Sequence, residues 1–221
     1  SYLLSHAEEL HTVALYAAPF FNGNSTSPAD GMEKSYRELS HILTLAKRED
    51  LIPVSFRGSD RYLPDEKTPV SSDAARDLVS RAMKYSAENP LTVLAIGAIT
   101  NVASAILLEP KIAERLHVIW LGGHAHSYSD TKEFNMHQDI AAARVVMRLA
   151  LVFFVCNERE HPVVVGRNDL LEAVLHVFKL VKHLDGARRV RRLDMVGHEG
   201  ANLHDFLGGG GLDGHHVVVG A

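Results

Sequence analysis

Glu133 and Asn135 stand two residues apart in Lys132-Glu133-Phe134-Asn135. In an extended loop, side chains at that spacing point the same way. A carboxylate beside an amide suits the vicinal hydroxyls of a sugar, where donors and acceptors alternate. A solvated loop acid beside a turn asparagine fits the local sequence equally well. Further along, His204-Asp205 joins a group that exchanges a proton near neutral pH to one that binds a hard cation. Such a dipeptide is weak evidence when it stands alone. Thr100 can offer its carbonyl to a cation or cap a helix starting at Asn101, and the local sequence favours the cap. Asn22, in Phe21-Asn22-Gly23-Asn24-Ser25, reads first as a turn former and second as a polar ligand group at a strand end.

These residues need a frame, and residues 91–144 supply its centre. The run Leu91-Thr92-Val93-Leu94-Ala95-Ile96 stops at Gly97, and Val118-Ile119-Trp120-Leu121 stops at Gly122-Gly123. Short apolar runs that end in glycine predict buried parallel strands. Residues 101–116 between them have helical spacing, so both strands end on the same side. Ligands in such sheets sit outside the carboxyl ends of the strands, which puts Thr100, Gly122, Gly123, Glu133 and Asn135 on the ligand side.

Around this unit the pattern predicts a helix remnant over residues 1–10, a strand over 11–18 and a helix over 32–47. A short strand over 52–55 and a surface loop over 57–70 follow. A helix over 73–88, capped by Ser71 or Ser72, precedes the central unit. Residues 140–147 read as helix, 162–166 as a strand and 170–184 as an amphipathic helix. Gly208-Gly209-Gly210-Gly211 lacks a following Lys-Ser or Lys-Thr and reads as a flexible loop, not a phosphate loop. The whole predicts an α/β fold: a mostly parallel central sheet with helices on both faces and right-handed crossovers, a Rossmann-like open sheet.

At 221 residues with 46% hydrophobic and 23% charged residues, the chain is expected to be one domain, residues 1–221. A net charge of −4 gives no electrostatic case for nucleic acid. The basic run Arg188-Arg189-Val190-Arg191-Arg192 has no interleaved aromatics and reads as solvated surface. A single cysteine, Cys156, excludes an internal disulfide and fits a reducing, cytoplasmic compartment. No apolar run reaches the roughly 18 residues of a membrane span. The 14 histidines are scattered without ligand-like spacing, and the adjacent His215-His216 reads as too isolated for a zinc site.

Taken together, the motifs resemble those of the inosine-uridine preferring nucleoside hydrolases. Gly97-Ala98-Ile99-Thr100-Asn101-Val102-Ala103 is similar to the family's "GPLTNVA", and Leu121-Gly122-Gly123 to its "MGG". Lys132-Glu133-Phe134-Asn135 with Gln138-Asp139 and Ala141-Ala142-Arg144 is similar to "EFN…DPEAAR". Leu203-His204-Asp205 is similar to "LHD". The resemblance covers residues 1–147 well and the remainder poorly.

The resemblance implies a nucleoside N-ribohydrolase that cleaves the N-glycosidic bond of purine or pyrimidine ribonucleosides with a Ca2+-bound water. Asn22 would help position the nucleoside, Glu133 and Asn135 would hold ribose hydroxyls, and Ser127 lies near the 5′ hydroxyl where the family has asparagine. The Thr100 carbonyl and Asp205 would ligate calcium, and His204 would assist departure of the base. A small-molecule nucleoside is the implied partner, in a homodimer or homotetramer. The family's aspartate cluster "DTDPGIDDA" has no counterpart in the chain. The expectation is therefore a domain truncated at its N-terminus and towards its C-terminus, binding calcium poorly and turning over little. The competing expectation is a catalytically inactive relative acting as a ligand-binding or interaction module. Retention of Glu133, Asn135 and His204-Asp205 together favours the enzyme.

Overall fold

Leu91–Ala95 (β3) and Leu116–Leu121 (β4) pair in parallel, from Leu91 against Leu116 to Ala95 against Trp120. Residues on both pleats, including Val93, Leu94, Ile119 and Trp120, are buried, as a sheet covered on both faces requires. The computed structural model describes residues 10–123, 129–130, 132–148, 152–155, 164–165 and 215–220. Of the helix expected over 1–10, residues 1–9 lie outside the described residues and Leu10 opens a strand; the helix expected over 170–184 and the glycine run also lie outside them.

The elements preceding β3 are β1 (Leu10–Tyr16), α1 (Pro28–Leu45), β2 (Ser55–Phe56) and α2 (Asp73–Ala82). Those following it are α3 (Thr100–Leu108), β4, α4 (Phe134–Gln138), α5 (Ile140–Met147), β5 (Val152–Val155), β6 (Val164–Val165) and β7 (His215–Gly220). The sheet order is β2-β1-β7-β3-β4-β5-β6. All neighbours are parallel except β5 and β6. The predicted α/β class and mostly parallel sheet are thus observed.

Local chemistry explains where the elements differ from their sequence patterns. α1 begins four residues before the predicted start because the Ser27 hydroxyl accepts from Asp30 N and Pro28 occupies the first turn. The strand expected over 52–55 begins only at Ser55, because Glu49–Val54 form a 3-10 turn with Pro53 inside it and the Ser55 hydroxyl donating back to Leu51 O. α2 is capped by Ser72, as predicted, but stops at Ala82, and Arg115 donates to the carbonyls of Met83 and Tyr85 just beyond its end. The helix expected over 101–116 divides, because Pro110 holds Glu109 in an extended conformation and a separate 3-10 turn, Pro110–Arg115, follows.

Two other expectations are corrected. Residues 57–70 are irregular but not a surface loop, since Ser59, Leu63 and Val70 are buried and Val70 N donates to the Ser104 hydroxyl. β7, which periodicity did not single out, occupies the middle of the sheet, where Val217–Val219 fill the slot between β1 and β3.

One core joins Ala14, Tyr16, Val93, Trp120 and Val218 of the sheet to Leu78 of α2, Val102 of α3 and Val146 of α5. Among the described residues, no helix is long and apolar enough to cross a membrane.

Candidate functional site

Strand order reverses around β7: β1 and β2 lie to one side, β3 to β6 to the other. Such a switch point opens a crevice at the carboxyl ends of the strands, and four buried polar side chains converge there. Each of them is held by backbone.

Asn101, the second residue of α3, donates through Nδ2 to Ala17 O at 2.9 Å and accepts at Oδ1 from Ser59 N at 2.8 Å. It ties the exit of β1 to the 57–70 segment. Gly58 makes the approach possible, since a Cβ there would lie 1.9 Å from Ala17 O.

Asp139 is 3% exposed. Its Oδ2 accepts from the Thr100 hydroxyl at 2.7 Å and from Leu63 N at 2.9 Å, while Oδ1 accepts from Ala142 N at 2.9 Å and caps α5. Thr100 is therefore not the cap its local sequence favours; Ile99 precedes α3 without a side-chain cap, and the Thr100 hydroxyl bridges to Asp139.

Glu133 caps α4. Its Oε1 accepts from Asn135 N at 3.1 Å, and its Oε2 from Gly123 N and Met136 N at 2.9 Å each. Gly123, with φ +84°, adopts a conformation that favours glycine and so turns its N–H towards this carboxylate. The extended loop expected around Glu133 and Asn135 is thus the entry to a short helix, with Asn135 in its first turn.

Asn135 Nδ2 donates to Leu121 O at 2.8 Å and Ile96 O at 3.3 Å, the exit carbonyls of β4 and β3. Two carbonyls fix which end of the amide is NH2. Oδ1 is left with no partner among the described residues. Asn135 lines a hollow of about 170 Å³ together with Pro19, Phe20, Gly97, Phe134 and Gln138.

Gln138 carries no role in the sequence reading beyond its place in a motif, yet it shapes the rim. Its Oε1 accepts from Phe21 N at 2.7 Å and from the Tyr62 hydroxyl, and its Nε2 donates to Phe21 O at 3.3 Å. One amide proton remains without a partner among the described residues. Burial, then the charge of Asp139, pushes the Tyr62 phenol up to about 12, so it stays a neutral donor. Only the 117-residue separation of Phe21 and Gln138 hides this pairing from a sequence pattern.

Asn22 forms the turn its neighbours predict, accepting at Oδ1 from Asn24 N at 2.8 Å, and stands exposed beside Phe21. Ser127, His204 and Asp205 lie outside the described residues. The structure brings Thr100, Glu133 and Asn135 to the ends of β3 and β4, and leaves Asn22 in an exposed turn outside the lining of the hollow.

The buried carboxylates Glu133 and Asp139 do not fit calcium. Calcium takes six to eight oxygen ligands, whereas Glu133 and Asp139 each accept three hydrogen bonds from the scaffold. Among the described residues, no group of three or more His, Cys, Asp or Glu is placed to hold a metal.

The chain is similar to known hydrolases. It is 33% identical over 92 residues to an inosine-uridine preferring nucleoside hydrolase of Leishmania major, covering 40% of this chain and 29% of that protein. It is 29% identical over 99 residues to the non-specific ribonucleoside hydrolase RihC of Salmonella paratyphi B, covering 43% of this chain and 32% of that one. The matched stretch thus spans about a third of these relatives' length. A sequence profile of the inosine-uridine preferring nucleoside hydrolases matches residues 8–208, nearly the whole chain, and with the switch-point crevice of the expected sheet it shows that the chain belongs to that family.

Proposed function

We propose that the chain is the scaffold and sugar-binding part of a nucleoside N-ribohydrolase, releasing free base and ribose from purine or pyrimidine ribonucleosides. The observation that carries this reading is the amide of Asn135. Its NH2 is spent on two strand-end carbonyls, which leaves an acceptor on a sugar-sized hollow that Gln138, with one N–H unpaired among the described residues, also lines. An acceptor and a donor on one hollow suit the hydroxyls of a ribose.

Breaking the glycosidic bond builds positive charge on the ribose ring. Fixed dipoles that need not reorient stabilise that charge as it grows. Asn135 contributes such a dipole, and Glu133 acts mainly by fixing Asn135 and Gly123. Asn22 would steer the nucleoside at the rim, Ser127 would meet the 5′ hydroxyl and His204 would protonate the departing base, worth about a hundredfold or more. Calcium, with the Thr100 carbonyl and Asp205 as ligands, enters through the family resemblance. Glu133 and Asp139, each committed to three scaffold hydrogen bonds, do not supply its ligand set on their own.

The same saturation favours a second reading, a nucleoside-binding module without turnover. Both readings predict that inosine or ribose binds the chain and that Asn135→Ala weakens binding at least about tenfold, measured calorimetrically. Equal binding by the variant would sink both. Chromatography of free base from inosine and uridine then separates them. Release that is lost on chelating calcium supports the hydrolase, release indifferent to chelator removes the calcium dependence, and binding without release supports the module.

A further inference from the structure

The amino-terminal edge of the sheet carries a side-chain group that nucleoside cleavage does not use. β1 and β7 run parallel in a register that sets His11 directly against His216. The two exposed rings lie 6.0 Å apart between centroids, at 70° to each other. Tyr85, beyond the end of α2, meets the His216 ring edge-on at 5.9 Å, with its hydroxyl 2.6 Å from Nδ1. His215-His216 looks isolated in sequence; the fold supplies its neighbour from 205 residues away.

We propose that His11 and His216 jointly bind a borderline divalent cation of the zinc or nickel kind, with water completing the shell and Tyr85 holding His216 from behind. Two nitrogens on one tetrahedral zinc lie about 3.3 Å apart, from bonds of about 2.0 Å. Imidazoles with centroids 6.0 Å apart reach that by side-chain rotation. Metal binding selects the tautomer in which Nδ1–H of His216 donates to the Tyr85 oxygen and Nε2 is bare. A second partner of this kind is what orients most metal-binding histidines. Arg81 is paired with Asp77 at 2.5 Å, which limits its repulsion of a cation.

Two imidazoles favour zinc, nickel or copper over calcium or magnesium. The pair lies at the far end of the strands from the crevice, about 17 Å along β1 at roughly 3.3 Å per residue. The site therefore stands or falls independently of the nucleoside reading. Its effect would be structural: an ion bridging residues 11 and 216 clips β7 into the slot between β1 and β3.

Calorimetric titration of the whole chain with zinc and with nickel, near neutral pH, tests this. His11→Ala is the deciding variant, because its side chain is exposed and its loss leaves the core intact. The expected result is one equivalent of zinc that raises the melting temperature, weakened at least about tenfold in His11→Ala and in His216→Ala. Tyr85→Phe should weaken it less, and His41→Ala, on exposed α1 surface, should leave it unchanged. Calcium should not compete. Zinc affinity and melting shift unchanged in His11→Ala would overturn the proposal, as would an equal loss in His41→Ala.

Discussion

The two ends of the central strands handle polar groups in opposite ways. At the carboxyl ends, Asn101, Glu133, Asn135 and Asp139 are buried, and their hydrogen bonds go mostly to backbone. At the amino ends, His11, His216 and Tyr85 meet through their side chains and remain open to water. Among the described residues, the one buried side-chain atom without a partner, Thr12 Oγ1, also lies there, where β1 shifts register against β7. Buried polar groups that fix backbone make a rigid rim, which suits a site that must hold its shape before substrate arrives. The amino edge carries no such demand and tolerates an irregular strand.

The largest effect should come from breaking the first of these arrangements. Glu133→Ala leaves the N–H groups of Gly123, Asn135 and Met136 without their acceptor in a site that is 2% exposed. Hydrogen bonds to a charged group contribute about 1.5–3 kcal/mol each, so the variant should lose at least about 3 kcal/mol of stability by denaturant unfolding and should also lose nucleoside binding. Glu88→Ala, on exposed surface, should match the parent in both measurements. Similar behaviour of the two variants would contradict the scaffold role of Glu133.

Much of this was legible in the sequence, for reasons that differ by element. β3 and β4 are apolar on both pleats, so their burial follows from composition alone, and the glycines after β4 marked the ligand edge. The cap Ser72 was readable because it lies within three residues of its partner. Asn101 to Ala17, Leu63 to Asp139 and Phe21 to Gln138 were not, because their partners lie 76 to 117 residues away. Local sequence favours Thr100 as a cap when its hydroxyl serves Asp139, and leaves Glu133 either a sugar ligand or a solvated loop acid when it caps a helix. β7 was missed for a related reason: a strand of three valines says nothing by itself about which slot it fills.

A smaller effect should follow from Asp139→Asn, which keeps the side chain's size. The carboxylate joins the start of α3, the 57–70 segment and α5 through three bonds. An amide has a single acceptor oxygen and turns an NH2 towards at least one donor. The expected cost is about 2 kcal/mol, with weaker nucleoside binding because Tyr62 and Gln138 shift with Leu63. Stability within experimental error of the parent would show that the carboxyl edge is less interlocked than its hydrogen bonds imply.

The amino edge should instead betray itself through pH. His117, second in β4 and paired with Thr92, is half-buried, and burial lowers its pKa below the ordinary histidine value. The unfolded chain therefore takes up a proton at a higher pH than the folded one does. Above the ordinary histidine range both states are neutral at this position and it has no effect. As the pH falls through that range towards the lowered folded value, the unfolded state binds more protons and stability declines. His117→Gln removes this contribution without changing the strand, so its melting temperature should fall less steeply than the parent's between about pH 6.5 and pH 5. Because both proteins share every other histidine, the difference between the two curves isolates this one, and superimposable curves would refute the assignment.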